Sequence, residues 1–123
     1  MEHICILNVD DEPINRMLFQ SVFKNKYRVL TAESGSSGLE LLQDNRNIDV
    51  VISDMKMPGM NGIEFINKAR ELFPEKFYFI LTGFDITPEI QKSLDTGSIC
   101  KCFRKPLNMK EIEESINEKI AIK

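Results

Sequence analysis

The segment Ile48-Asp-Val-Val-Ile-Ser-Asp54 decides how this chain folds. Apolar and β-branched residues dominate it, which is typical of a strand covered on both faces. It ends on the carboxylate of Asp54, and the turn-rich segment Met55-Lys-Met-Pro-Gly-Met-Asn-Gly62 follows at once. Because an unpaired buried carboxylate is costly, we expect Asp54 to lie just outside the core, to be held by a cation, or both.

The composition is that of an ordinary globular domain. The chain has 123 residues, of which 42% are hydrophobic and 28% charged, with a formal net charge of −3. A chain of this length buries roughly two thirds of its unfolded surface, so we expect residues 1–123 to form a single domain. The negative charge argues against direct nucleic-acid binding. We also expect no membrane span, no secretion signal and a cytoplasmic location.

Three cysteines give an odd count without a CxxC pair. We expect them to be small buried hydrophobes in a reducing compartment. A metal or redox role for Cys100 and Cys102 is the minor alternative.

Five apolar runs alternate with five helical patterns. The predicted strands span residues 4–9, 27–32, 48–54, 77–82 and 100–104. The predicted helices span residues 13–24, 39–45, 61–74 and 87–97, with the last one beginning after residue 108. In the first helix, apolar side chains recur at helical spacing, at Ile14, Met17, Leu18 and Val22. The segment Gly35-Ser-Ser-Gly38 is interpreted as a break before the second helix.

This alternation predicts the fold class. Right-handed βαβ crossovers produce an α/β domain with a parallel sheet and helices on both faces. We expect a five-stranded sheet in the order 2-1-3-4-5, a flavodoxin-like arrangement. The second strand is placed at the edge of the sheet because its apolar residues alternate more than those of the others. Ligands in such folds bind beyond the carboxyl ends of the strands.

Polar side chains stand at the carboxyl ends of four of the predicted strands. Asp10 and Asp11 follow the first strand, Asp54 ends the third, Thr82 ends the fourth and Lys105 follows the fifth. Crowded carboxylates need a proton or a hard divalent cation such as Mg²⁺. A phosphoryl group could complete such a site, with Asp54 as nucleophile, Lys105 as its counter-charge and Thr82 as a hydrogen-bond donor. Each residue alone has an ordinary structural explanation, but their convergence on one edge predicts a site.

Four segments together resemble the receiver domain of bacterial two-component response regulators over essentially the whole chain. They are Val9-Asp-Asp-Glu-Pro13, Ser53-Asp-Met-Lys-Met-Pro-Gly-Met-Asn-Gly62, Leu81-Thr-Gly83 and Lys105-Pro106. The resemblance implies a phosphorelay module rather than an enzyme, whose only chemistry is its own phosphorylation and dephosphorylation.

The resemblance also implies roles for the site residues. Asp54 would accept a phosphoryl group from the phosphohistidine of a histidine kinase or a histidine phosphotransfer protein. Mg²⁺ or Mn²⁺ would be held by Asp10, Asp11, Asp54 and the backbone carbonyl of Lys56. Lys105 would pair with the phosphate, and the peptide bond that follows it is commonly cis in the family.

The resemblance also implies that phosphorylation changes the surface that the domain presents to other proteins. In such domains the residue at Thr82 moves toward the phosphoryl group and repacks helix 4, strand 5 and helix 5. A downstream effector protein or domain would recognise that surface, and the domain would be a monomer or a phosphorylation-dependent dimer.

Two positions depart from the usual pattern. Cys102 stands where the family has an aromatic reporter of phosphorylation, and Phe103 lies one residue later, which in a strand is the opposite face. The stretch 97–105 is also one residue longer than in the commonest pattern, which predicts a bulge or a longer loop.

Three other functions remain as alternatives. A pseudo-receiver would keep the fold and act without phosphorylation. A metal-dependent phosphatase or TOPRIM-like enzyme would use the same carboxylates, although it favours a DxD pair where this chain has adjacent acids. A flavodoxin is disfavoured because the acidic segment Asp10-Asp-Glu12 would repel a flavin phosphate.

Overall fold

The computed structural model describes residues 3–122. Strands and helices alternate throughout this range. The strands are β1 (Cys5–Val9), β2 (Arg28–Ala32), β3 (Val50–Asp54), β4 (Phe77–Thr82) and β5 (Lys101–Arg104). The helices are α1 (Pro13–Phe23), α2 (Gly35–Asp44), α3 (Gly62–Leu72), α4 (Pro88–Asp95) and α5 (Met109–Ile122).

All five strands form one parallel sheet in the order β2-β1-β3-β4-β5, which confirms the predicted topology. The register pairs Val9 with Ser53, Asp54 with Leu81, and Thr82 with Arg104. The carboxyl ends of β1, β3, β4 and β5 therefore meet along one edge of the sheet.

Two hydrophobic clusters cover the two faces of the sheet. One contains the buried side chains of α2, α3 and α4, and the other contains those of α1 and α5. Val51 points into the first cluster, while Val50 and Ile52 point into the second. Burial on both faces explains why β3 is continuously apolar instead of alternating.

Four of the strands begin one or two residues later than the sequence predicts. β1, β2 and β5 begin one residue later than predicted and β3 begins two residues later. Hydrophobicity marks burial, whereas a strand begins where a neighbour supplies hydrogen bonds, so Ile48 is buried without belonging to β3. β5 pairs with β4 without interruption from Lys101 to Arg104, so the extra residue of this region lies in the loop before β5 and not in a bulge.

The predicted break before the second helix is wrong. α2 begins at Gly35, where the Ser34 hydroxyl accepts a hydrogen bond from the backbone N–H of Ser37 at 3.1 Å. A Cβ on Gly38 would lie 2.9 Å from the ring of Phe65 on α3. The glycines thus permit close packing of α2 against its neighbours, and serine capping outweighs their low helix propensity.

The buried face of α1 is not the one that carries most of its recurrent aliphatic residues. Phe19 and Phe23 are buried, and their ring centroids lie 4.7 Å apart. Ile14, Met17 and Leu18 are 76%, 71% and 50% exposed. Val22, the fourth of the recurrent aliphatic residues, is half-buried against the same cluster as the two rings. The orientation that buries the rings therefore leaves the other three in solvent, beside the carboxyl edge of the sheet.

None of the helices in the described part of the chain has the length and apolarity that a bilayer-spanning helix requires.

We predict that Phe19→Ala lowers the free energy of unfolding by about 3 to 5 kcal/mol, because it leaves a cavity in the core. Met17→Ala on the same helix should change it by less than about 0.5 kcal/mol, because the side chain is exposed. Urea unfolding of both variants checks this assignment of faces, which comparable losses for the two would contradict.

Candidate functional site

Three carboxylates converge at the carboxyl edge of the sheet. Asp10 and Asp11 follow β1, and Asp54 ends β3. Each offers an oxygen that lies within 4.8 Å of the other two. Asp10 and Asp54 are buried, whereas Asp11 is half-buried. Oxygen donors of this kind and spacing fit a hard divalent cation such as Mg²⁺.

Asp10 is fixed in place by backbone contacts. Its Oδ1 accepts a hydrogen bond from the N–H of Glu12 at 2.9 Å, and its backbone N–H donates to the carbonyl of Ala32 at 3.0 Å. The carbonyl of Asp10 also accepts a hydrogen bond from Arg16 at 2.8 Å. The start of α1 therefore holds this carboxylate at the sheet edge.

Lys105 supplies the positive charge of the site. Its Nζ lies 2.9 Å from Asp54 Oδ1 and 3.8 Å from Asp10 Oδ2. Its backbone N–H donates to the carbonyl of Thr82 at 2.8 Å, and the bond between Lys105 and Pro106 is cis. The side chain thus reaches from the end of β5 past β4 to the end of β3.

Burial raises the pKa of the Asp54 carboxyl above its ordinary value. Lys105 opposes this by a hydrogen bond and by its charge, and the neighbouring Asp10 and Asp11 raise the pKa of Asp54 further. The positive charge of Lys105 therefore does not offset the combined effect of burial and two negative neighbours on the pKa of Asp54. The site consequently favours the binding of additional positive charge.

Thr82 is buried at the end of β4, and its hydroxyl oxygen accepts a hydrogen bond from the N–H of Phe84 at 3.2 Å. The hydroxyl proton remains available for donation. Lys56 is exposed in the loop after β3, and its Nζ lies 4.1 Å from the centroid of the Phe84 ring.

Cys102 and Phe103 lie on opposite faces of β5. Cys102 is half-buried against the cluster of α2, α3 and α4, while Phe103 is buried in the other cluster. The Phe103 ring stacks on Phe79 with 5.3 Å between centroids, so it belongs to the core. Neither residue joins the carboxylate cluster.

The prediction that the cysteines are buried is correct for Cys5, whereas Cys100 and Cys102 are half-buried. Cys5, Cys100 and Cys102 are all free thiols. Burial raises the pKa of each of these three thiols, which keeps them protonated and poorly nucleophilic.

Two features of the site were not foreseen from sequence. One is the contact between the Lys56 side chain and Phe84, and the other is the exposed aliphatic face of α1. An aromatic residue directly after the strand-end pair Thr82-Gly83 was the available signal for the first. The second depends on how α1 is rotated against the sheet.

Comparison with known proteins gives one consistent result. The chain matches the response regulator receiver domain family over residues 6–117. It is 32% identical over 119 residues to sporulation initiation phosphotransferase F of Bacillus subtilis, covering 96% of this chain and 94% of that protein. It is also 32% identical over 105 residues to a cyclic di-GMP phosphodiesterase of Thermotoga maritima, covering 85% of this chain. The chain spans only 27% of the length of that phosphodiesterase.

Solved structures agree with this match. The response regulator TrrA of Thermotoga maritima, in complex with Mg²⁺-BeF, is 28% identical and superposes with a TM-score of 0.79. The superposition covers 94% of this chain and 97% of TrrA.

The raised pKa of Asp54 predicts a pH-dependent effect of its neutralisation. The unfolded carboxyl ionises near pH 4, before the folded one, so stability is lost as the pH rises through the folded pKa. In metal-free buffer, Asp54→Asn should therefore be more stable than the parent protein at pH 7. This advantage should disappear below about pH 4.

Urea unfolding at both pH values, with chelator present, measures the difference. Asp44→Asn is the matched control, because it makes the same exchange on an exposed carboxylate of α2 and should change stability little. An Asp54→Asn variant that is less stable than the parent at pH 7 would contradict the assignment.

Proposed function

This chain belongs to the response regulator receiver domain family, and from that membership we propose that Asp54 is its phosphoacceptor. Receiver domains are phosphoacceptor signalling modules. The observation that carries the assignment to Asp54 is its 2.9 Å contact with Lys105, opposite a pair of acidic residues. A carboxylate in this setting can act as a nucleophile whose product is stabilised by positive charge.

The proposed reaction is transfer from a phosphohistidine. One Asp54 oxygen attacks phosphorus, the bond from phosphorus to the histidine nitrogen breaks, and the imidazole keeps the electron pair. Lys105 moves its ion pair from the carboxylate to the phosphoryl oxygens. The Thr82 hydroxyl donates a hydrogen bond to a phosphoryl oxygen. The domain otherwise turns over no substrate beyond its own phosphorylation and dephosphorylation.

The carboxylate set fits a divalent cation, and we assign Mg²⁺ or Mn²⁺ to it. Asp10, Asp11, Asp54 and the backbone carbonyl of Lys56 would hold the ion. When bound, the ion offsets the negative charge that collects as a dianionic phosphoryl group enters a cluster of carboxylates. The Mg²⁺ in the TrrA complex supports this choice of metal.

The phosphodonor is a histidine kinase or a histidine phosphotransfer protein. We place its docking surface on the exposed aliphatic side chains of α1, the helix that begins directly after the acidic pair. A cavity of about 190 Å³ continues this surface toward the site, lined by Leu18 and Leu107 together with Asp10 and Lys105. A donor must bring its histidine to this edge, so an apolar surface at the same edge suits its attachment.

The output is a change of the surface formed by α4, β5 and α5, which a downstream effector protein or domain would recognise. Thr82 would start this change because its hydroxyl accepts a hydrogen bond from the N–H of Phe84, in the loop that leads to α4. Cys102 replaces the usual aromatic reporter, so the change would involve other side chains.

For the wider context, we propose that residues 1–123 are one receiver domain that works in the cytoplasm. It would be a monomer or a phosphorylation-dependent dimer and would bind no nucleic acid directly.

Incubation with acetyl phosphate and Mg²⁺ should add the mass of one phosphoryl group to the intact protein. Asp54→Asn should abolish the gain. Asp44→Asn should leave it unchanged, because this exposed carboxylate ends α2, which leads to the amino end of β3, and the site lies at the carboxyl end. Asp11→Asn should raise the Mg²⁺ concentration needed for half-maximal phosphorylation by about tenfold, which equals the loss of roughly 1.4 kcal/mol of binding. Intact-mass spectrometry reports all four reactions, and an undiminished gain in Asp54→Asn would refute the assignment.

If the donor docks on α1, a substitution there should slow phosphoryl transfer from a protein donor but not from a small-molecule donor. Met17→Asp should slow transfer from a phosphorylated histidine phosphotransfer protein by about tenfold or more, because it places a charge on a surface that burial would desolvate. The rate with acetyl phosphate should stay within twofold of the parent rate. Leu72→Asp is the control, because it makes the same kind of exchange on an exposed residue of α3. Equal slowing by both variants would contradict the location on α1.

A further inference from the structure

A cavity of about 190 Å³ lies between α1, the end of β4 and the loop after β5. Most of its lining is apolar and comes from the side chains of Leu18, Phe19, Leu81 and Leu107. An apolar cavity of about 150 Å³ in a protein interior is large enough to hold benzene. The cavity therefore has room for one aromatic ring with a small substituent.

Asn8 places a polar group against this cavity. It belongs to β1, in which the other residues are the buried apolar Cys5, Ile6, Leu7 and Val9. Asn8 itself is 1% exposed, so its amide group is removed from solvent. A buried amide lowers stability unless hydrogen bonds satisfy both its oxygen and its nitrogen.

Only one half of the Asn8 amide is satisfied. Its Nδ2 donates a hydrogen bond at 3.3 Å to the carbonyl of Ile52, the residue opposite Asn8 on β3. Its Oδ1 is buried and has no hydrogen-bond partner among residues 3–122. Because Nδ2 is turned toward β3, the oxygen is directed away from that strand. A group that brings an N–H or O–H into the cavity would satisfy this acceptor.

The charged groups beside the cavity already have partners. Asp10 and Lys105 contribute to its lining. The Nζ of Lys105 lies 2.9 Å from Asp54 Oδ1 and 3.8 Å from Asp10 Oδ2. A charged ligand would have to break these contacts or enter an apolar cavity without an opposite charge, which is unfavourable. The lining therefore favours an uncharged ligand.

We propose that this cavity is a binding site for a small uncharged molecule with one aromatic ring and one N–H or O–H donor. The ring packs against Leu18, Phe19 and Leu107, and the donor gives its hydrogen bond to Asn8 Oδ1. Binding requires neither a metal ion nor phosphorylation of Asp54. The site can therefore be tested separately from the proposed function.

The test uses phenol as the probe and toluene as its matched control. The two molecules have the same size, and toluene carries a methyl group in place of the hydroxyl. Each is titrated into the isotope-labelled protein without metal ion, and NMR spectra are recorded. Phenol should shift the side-chain amide signal of Asn8 and the signals of Leu18 and Leu107 in a saturable way. Its dissociation constant should be roughly millimolar, as expected for a ligand of this size.

Asn8→Leu tests the acceptor, because leucine is close to asparagine in volume and offers no hydrogen-bonding group. The dissociation constant of toluene divided by that of phenol should fall by about tenfold from the parent value, because only phenol loses a hydrogen bond. Comparing the two ratios cancels the different solvation of the probes in water. An unchanged ratio would overturn the assignment of Asn8 as the acceptor.

Nuclear Overhauser effects from phenol to Leu18 and Leu107 locate the probe, and their absence at saturation would overturn the location. Leu18→Trp places a larger side chain against the cavity and should weaken phenol binding about fivefold or more. Leu72→Trp makes the same exchange at an exposed position of α3 and should bind phenol as the parent does. Thermal unfolding checks that each variant is folded, and the Asn8→Leu ratio decides alone if Leu18→Trp is not.

The outcomes either support the site or overturn it. Saturable binding with Overhauser effects to the lining residues and a lower ratio in Asn8→Leu supports the proposal. The absence of saturable shifts with phenol up to about 5 mM would overturn it, because the affinity would then be weaker than a site of this size provides. Equal weakening by Leu18→Trp and Leu72→Trp would also count against the cavity as the place of binding.

Discussion

The contact between Lys105 and Asp54 is the interaction on which the rest of the site depends. Asp54 is buried among other carboxylates, and the lysine ammonium at 2.9 Å is the nearest positive charge to it. Three ionised carboxylates and one ammonium group leave two negative charges in excess. A divalent cation would neutralise this excess negative charge. The repulsion between the carboxylates and an incoming phosphoryl group would then be smaller.

The sheet tolerates this cluster of charges because the charged groups lie at its edge and not in its interior. Its interior is apolar on both faces, and the charged groups are confined to the ends of the strands. Backbone hydrogen bonds fix Asp10 and Lys105 at opposite flanks of Asp54. The burial that raises the pKa of Asp54 and the lysine that opposes it therefore both follow from the strand order.

The flanks of the site differ in the side chains that they expose. Phe103 is stacked in the core, and Cys102 is half-buried and lacks an aromatic ring, so β5 presents no free aromatic side chain. The exposed ring nearest to Thr82 in the chain is that of Phe84, whose backbone N–H donates a hydrogen bond to the Thr82 hydroxyl. The exposed aromatic ring near Asp54 therefore lies in the loop after β4 and not in β5. The exposed side chains of α1 lie on the opposite flank, so the proposed docking surface is separate from the loop after β4.

The alternation of strands and helices in the sequence was enough to predict which residues meet at the edge, because parallel strands place their carboxyl ends together whatever their exact boundaries. The strand order was predicted as well, but periodicity does not prove it, and the pairing of the strands in the structure confirms it. Asp10, Asp54 and Lys105 could be identified from that rule and from the family motifs. Which face of α1 is buried is known from the tertiary structure alone, because Phe19 and Phe23 fill the core and leave the aliphatic side chains of the first two turns exposed. The tertiary structure also decided that Gly35 and Gly38 lie inside α2, because close packing against α3 leaves no room for side chains there. The contact between Lys56 and Phe84 is also known only from the tertiary structure. The two residues are distant in the chain, and periodicity carries no information about contacts between loops.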